Sequence, residues 1–293
     1  MASPEFEQFG PLHYTIDLPI RALFFLLRLL PHKTSLNVAA GFANSILAPL
    51  FGVNRRIYHN LDHIAADFSV ENRAALAREA NANATKLMVE SFNVAGFLHH
   101  ARKAQMGGSG VASLLEALEN KRPVILVSGH FGNYQVPRVL LSDLGHDTAA
   151  IYRPMNNGYT NRRYVAAMNR LARPNFSRGM KGTKALLTQL KNGGAIAMLN
   201  DQAANEGKIM PFLGKPATTM LSAAEFALKF NALLVPFYGI RCPDGVNFEV
   251  IFEDPIPHSD AETMTGAINA SLEAQIRARP GQWFWAHKRW KFV

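Results

Sequence analysis

The chain has 293 residues, 48% of them hydrophobic, which is enough length and apolar content for a sizeable buried core and excludes a disordered or fibrous chain. A single cysteine, Cys242, excludes an internal disulfide framework and a multi-cysteine metal site, and fits a reducing cytoplasmic setting. The formal net charge of +9 calls for anionic partners: nucleic acid, anionic lipid headgroups or an acidic protein.

Residues 1–6 resemble a cloning junction and carry no functional weight. Residues 18–30 are apolar except for Arg21 and Arg28, two helical turns apart and so on one face. This stretch is shorter than the roughly 20 apolar residues that cross a hydrocarbon core, and no small-residue cleavage site follows it. Pro31 ends it, and a second apolar run over 36–51 is interrupted by Asn37, Asn44 and Pro49. Two such runs in series predict a helical hairpin in a membrane interface, with Arg21 and Arg28 reaching toward phosphates. An amphipathic helix packed on its own domain is the plain alternative. The expected division is a tail over 1–16, a membrane-association segment over 17–60 and a catalytic body over 61–293.

Residues 72–105 favour helix, 107–110 form a glycine-rich break, and 111–120 favour a further short helix. Residues 123–128 then form a continuous apolar run between breakers, the pattern of a fully buried strand, followed by the turn Gly129-His130-Phe131-Gly132 and a helix from Asn133. Similar runs recur at 148–152, 195–199, 233–240 and 248–252, with helical stretches at 159–171, 181–191 and 220–230. Strands alternating with helices predict an α/β fold, an αβα-layered, mostly parallel or mixed sheet.

In open α/β sheets, working residues gather beyond the carboxyl ends of the strands. His130 falls there, where a neutral imidazole can take a proton from an alcohol while helix N-terminal N–H groups stabilise an oxyanion. Gly129 and Gly132 would let a substrate approach the backbone closely. A single histidine in a turn is, by itself, more often a packing residue. No Gly-x-Ser-x-Gly elbow occurs, and the turn matches neither a dinucleotide fingerprint nor a phosphate loop. His59 and His63 have helical metal-ligand spacing but no obvious third ligand, so no metal is expected. Lys and Arg are scattered beside apolar stretches, in no nucleic-acid motif, and no nucleic-acid partner is expected.

Gly129-His130-Phe131-Gly132-Asn133-Tyr134 resembles the signature of the bacterial lipid A biosynthesis and lysophospholipid acyltransferase family, in which Asp or Glu follows the histidine after four residues. Further matches follow in order: Tyr152-Arg153-Pro154, Arg178, Asn200-Asp201-Gln202, Pro211-Phe212-Leu213-Gly214 with Ala217-Thr218, Val235-Pro236, and the ending from Gln282 to Lys291. The resemblance implies an O-acyltransferase on the cytoplasmic face of a bacterial inner membrane. It would move a fatty acyl group from an acyl carrier protein or coenzyme A thioester to a lipid hydroxyl, with no cofactor. The acceptor would be the 3-hydroxyacyl group of a lipid A precursor or of a lyso-aminolipid, or else a lysophospholipid.

Carried over by position, His130 is the base, and Gly132 and Asn133 belong to its turn. Arg153 and Arg178 bind phosphate, for which a planar guanidinium is suited. Asp201, Gln202, Phe212, Gly214 and Thr218 shape the acceptor side. Trp283, Trp285 and His287 read as core and lid packing. Where the family has its acid, this chain has Gln135, which can hold an imidazole by a hydrogen bond but lacks the charge to stabilise an imidazolium. Three explanations follow: an altered residue, a substitute carboxylate such as Asp201 or Asp143, or tolerance of a neutral partner. A catalytically impaired lipid-binding protein of the same fold is the alternative, and Gln135 is the argument for it.

Overall fold

A computed structural model describes residues 7–64, 71–203 and 206–291, so residues 1–6 of the tail lie outside it. The N-terminal helices are α1 (Pro11–Arg28), α2 (His32–Phe42), a π-helical turn (Ala43–Leu47) that runs into α3 (Ala48–Leu50), α4 (Val53–His63), α5 (Arg73–Phe92) and α6 (Val94–Ala101). The body continues with β1 (Met106–Gly107), α7 (Val111–Glu119), β2 (Val124–Ser128), α8 (Gln135–Asp143), β3 (Thr148–Tyr152), α9 (Gly158–Leu171), β4 (Asn175–Ser177), α10 (Met180–Lys191) and β5 (Ala195–Leu199). A hairpin, β6 (Lys208–Phe212) and β7 (Lys215–Thr219), precedes α11 (Ser222–Phe230), β8 (Leu233–Arg241), β9 (Phe248–Phe252) and α12 (Ala261–Ala278).

Seven strands form one sheet in the order β1-β9-β8-β2-β5-β3-β4. β8, β2, β5, β3 and β4 run parallel, while β9 is antiparallel to β8. The expected α/β sheet is therefore present, and the five apolar runs are its main strands. All five residues of β2 are buried, because the strand is central in the sheet and covered on both faces. Alternation along it sorts the core into two layers. Val124 and Leu126 join Phe97, Leu114, Val136 and Val139 on one face. Ile125 and Val127 join Leu186, Leu190, Ala224 and Ile268 on the other.

Several elements depart from expectation. The helix expected over 72–105 breaks at Asn93, whose backbone leaves helical dihedrals; asparagine favours caps and turns over helix interiors. Helix α12 is additional, although its signals are local: Asp260 caps the N–H groups of Glu262 and Thr263, and Met264, Ile268, Leu272 and Ile276 repeat every four residues and are buried. The β6–β7 hairpin turns through Leu213 and Gly214, both at positive φ, as a tight turn between twisted strands requires.

Both N-terminal apolar runs are helical, and α1 begins well before residue 18 because Asp17 is an anchor. Its buried carboxylate accepts from Arg163 and from the Thr160 hydroxyl, tying α1 to α9. Arg28 is engaged within the protein, its guanidinium donating to the Phe92 carbonyl. Much of the apolar surface here faces outward, with Leu12, Phe25, Leu26, Leu29, Leu50 and Phe51 all exposed. Among the described residues no single helix is long and apolar enough to cross a membrane. The segments His32–Leu50 and Val53–His63, bent by 80° at their junction, pass that test only as a pair.

Candidate active site

β2 and β5 are adjacent and parallel, with Ser128 opposite Leu199, so the segments leaving their carboxyl ends run side by side. One carries His130 and the other Asp201. The imidazole Nδ1 lies 2.7 Å from Asp201 Oδ1, and the His130 backbone N–H donates to Oδ2 at 2.7 Å. The indole N–H of Trp283 donates to the same Oδ2 at 2.9 Å. One carboxylate thus accepts three hydrogen bonds and fixes the histidine at both its ring and its backbone.

Asp201 is 3% exposed and His130 24% exposed, so the acid is sealed while the base can be reached. Burial pushes the Asp201 carboxyl up, but the imidazole charge and the hydrogen bonds from His130 and Trp283 outweigh it and hold the group down at about 2. Burial likewise pulls the His130 imidazole down, and the Asp201 charge and hydrogen bond together outweigh it, leaving the base above its usual value. An ionised Asp201 keeps the proton of neutral His130 on Nδ1, so Nε2 presents its lone pair. The Gln202 amide nitrogen stands 3.2 Å from that Nε2. The Tyr134 ring meets the imidazole edge-on at 5.8 Å, and the Phe284 ring lies 6.3 Å away.

The neighbouring backbone N–H groups are engaged. Phe131 donates to the Gly129 carbonyl, Gly132 to Gln282, Asn133 to Gly239, and Gln135 to Asn133 Oδ1. The expected oxyanion hole from this run is therefore reduced, because Gly132 and Asn133 dock the turn on the C-terminal segment and β8 while Phe131 and Gln135 bond within the turn. Gly132 serves the same docking: its φ is +53°, and a Cβ there would come within 2.1 Å of the Gly239 carbonyl oxygen. The glycine makes room for the protein's own backbone. Asn133 is buried, and its amide donates to Glu90 Oε2 at 2.8 Å. Glu90 also takes both guanidinium nitrogens of Arg241, at 2.6 and 2.7 Å, in a buried pair that fastens the turn to α5 and β8.

Gln135 does not meet the imidazole. Its Oε1 accepts from Arg138 at 2.8 Å, and Arg138 also donates to the Thr148 carbonyl. Burial pulls that guanidinium down to about 10. Asp143 is paired at the surface with Arg102 through two 2.8 Å bonds. Of the carboxylates considered from sequence, the structure brings Asp201 to His130. Arg153 and Arg178 directly follow β3 and β4 at the carboxyl edge of the sheet, and both are exposed. Phe212 and Thr218 are buried: the Phe212 ring packs against Trp283 and Trp290, and the Thr218 carbonyl accepts from Arg289. Gly214 lies in the hairpin turn beyond them. This segment supports the site from behind.

Sequence reasoning missed two contributors. Trp283, read as packing, is also the third donor to Asp201. Glu90 was not singled out, although an acid between apolar positions of a helix is a signal of buried pairing. His287 accepts the Ala203 N–H at 2.9 Å, which places it beside the Asp201 loop. His63 packs at 5.5 Å from Trp290, and among the described residues no group of three or more His, Cys, Asp or Glu side chains could hold a metal ion.

A family model described as "Bacterial lipid A biosynthesis acyltransferase" matches residues 7–292. The chain is 27% identical over 188 residues to the lipid A biosynthesis lauroyltransferase of Escherichia coli, a match spanning 62% of this chain and 60% of that protein. It is 22% identical over 275 residues to the lipid A biosynthesis acyltransferase of Haemophilus influenzae, spanning 84% of this chain and 87% of that protein.

Proposed function

The chain belongs to the bacterial lipid A biosynthesis acyltransferase family, and from that premise we propose that it transfers a fatty acyl group from a thioester to a lipid hydroxyl. The observation that carries this reading is the His130–Asp201 pair, with the His130 side chain 24% exposed and its Nε2 facing the Gln202 amide. Nε2 removes the acceptor proton, and the alkoxide oxygen bonds to the thioester carbonyl carbon. As the tetrahedral oxyanion collapses, the carbon–sulfur bond breaks and the leaving thiolate recovers the proton from Nε2. Asp201 stabilises the imidazolium between these two steps. With most nearby N–H groups engaged, the oxyanion falls to side-chain donors at this edge, with Gln202 next to Nε2 and Arg153 after β3.

Acyl carrier protein or coenzyme A is the proposed donor carrier, the acidic carrier suiting the +9 chain. The proposed acceptor is a lipid A precursor or a lyso-aminolipid bearing a 3-hydroxyacyl group. The outward apolar surface of α1 to α3 supports peripheral docking on the cytoplasmic face of the inner membrane. Against the impaired-protein alternative stands Asp201, which faces His130 with the charge that Gln135 lacks.

Acyl transfer from radiolabelled acyl carrier protein to a lipid A precursor, a lyso-aminolipid and a lysophospholipid tests the proposal. One acceptor is expected to be labelled by the native chain and not by His130→Ala. Equal labelling by both would overturn it.

A further inference from the structure

Close to His130 lies an open recess of about 490 Å³ whose described lining includes Arg56, Lys288, Lys291, Ala203, Phe284 and His287. Two of its lining residues, Phe284 and Ala203, link it to the reacting centre. Phe284 donates its N–H to the His130 carbonyl at 3.0 Å, and Ala203 follows Gln202, whose amide nitrogen is 3.2 Å from Nε2. On its other side the recess approaches the outward apolar surface. Arg56 lies on α4 and donates to the Phe51 carbonyl at 3.2 Å, and Leu50 and Phe51 are 72% and 62% exposed.

The C-terminal segment that brings the lysines is clamped. Asn60 donates to the Trp285 and His287 carbonyls, both at 2.7 Å. The buried Arg289 donates to the Thr218 carbonyl and to the Thr219 hydroxyl. Arg289 and Trp290 turn inward while Lys288 and Lys291 remain exposed on either side of them. Three cations from two distant stretches therefore meet on a fixed wall beside the base. A phosphate, with its negative charge and several acceptor oxygens, is the group that such a set recognises.

We propose that Arg56, Lys288 and Lys291 form a phosphate-binding subsite that holds a substrate while His130 acts, an assignment that rests on the acyl-transfer reading of the same site. The phosphate belongs either to the headgroup of the lipid acceptor or to the phosphopantetheine arm of the donor. The two sources share one chemistry and differ in which substrate the subsite retains.

Calorimetric titration with dihexanoyl phosphatidic acid and with pantetheine 4′-phosphate separates them, with dihexanoylglycerol and pantetheine as phosphate-free controls. The native protein is expected to bind one phosphate probe and neither control. Arg56→Gln/Lys288→Gln/Lys291→Gln is expected to weaken that binding at least tenfold. Lys184→Gln/Lys191→Gln, which removes exposed charge from α10, is expected to leave it unchanged. In the acyl-transfer assay the triple variant should raise KM for the phosphate-bearing partner about tenfold with little change in kcat. Lys288→Gln alone, at an exposed position, should show a smaller shift in the same direction.

Absence of binding by either probe, undiminished binding by the triple variant, or equal weakening by the α10 variant would each overturn the subsite. Phosphate binding lost in the triple variant, without acyl transfer by the native chain to any acceptor, would uphold the subsite and refute the acyl-transfer reading.

Discussion

Asp201→Asn preserves the shape of the site and removes its charge, so its effect follows from which donors face the carboxylate. All three partners are N–H donors: His130 Nδ1 and the His130 backbone, each at 2.7 Å, and the Trp283 indole at 2.9 Å. An asparagine has one oxygen for them. If its NH₂ faces Nδ1, the imidazole must accept there and carry its proton on Nε2, the tautomer that cannot act as base. If the amide is turned, the backbone and indole donors lose their shared acceptor. The corresponding exchange in a Ser-His-Asp triad lowers turnover about 10⁴-fold, about 5 kcal/mol of transition-state stabilisation. A fall in kcat of about 10³–10⁴-fold is expected here, measured by single-turnover acyl transfer.

The pH profile adds a sign to that prediction. Burial is the largest influence on His130 and favours the neutral ring, while Asp201 reverses it. In the native enzyme the activity is thus expected to rise with pH through a midpoint above the usual imidazole value, as the base loses its proton. In Asp201→Asn the residual activity should rise through a midpoint below that value, because burial then acts unopposed. A loss of less than tenfold in kcat, or an unmoved acid limb, would refute the pairing as the source of basicity.

Gln135→Ala is expected to change kcat less than threefold while destabilising the fold by about 1–3 kcal/mol in urea unfolding, because it strips an acceptor from the buried Arg138. A kcat loss as large as that of Asp201→Asn would return the orienting role to Gln135. Glu90→Gln leaves Arg241 as a buried, unbalanced cation and should cost about 3–5 kcal/mol by the same measurement, with the Asn133 turn loosened; a cost below 1 kcal/mol would show that the pair is not holding the turn. Replacing Leu29, Leu50 and Phe51 by serine should reduce co-sedimentation with phosphatidylglycerol vesicles at least tenfold without altering Tm, since all three are exposed. Unchanged sedimentation would assign that surface to something other than a bilayer.

Much of the fold was legible locally. The runs at 123–128, 148–152 and 195–199 read as strands from their apolar character. Of the three, β2 is buried throughout because it is central in the sheet, while β3 and β5 are buried at their first two residues and more accessible toward their carboxyl ends. The turn after β2 marked His130 because glycines flank it, although Gly132 accommodates the Gly239 carbonyl and not a substrate. Helix α12 carried equally clear local signals in the cap at Asp260 and its four-residue apolar repeat.

What composition and pattern determined by themselves were the layers, the apolar N-terminal helices, the family and the histidine at a strand end, all of which are encoded by residues near one another in the chain. The charge partner was of another kind. His130 and Asp201 are 71 positions apart and meet because β2 and β5 are parallel neighbours whose carboxyl ends lie together, a register that neither segment specifies alone. Spacing pointed to Gln135, five positions on, yet the α8 helix buries that side chain against Arg138. Trp283 and Glu90 reach the site across 82 and 43 positions, from opposite parts of the chain. Only tertiary packing decides which distant carboxylate faces the imidazole, because that choice depends on strand order and on which buried donors require an acceptor.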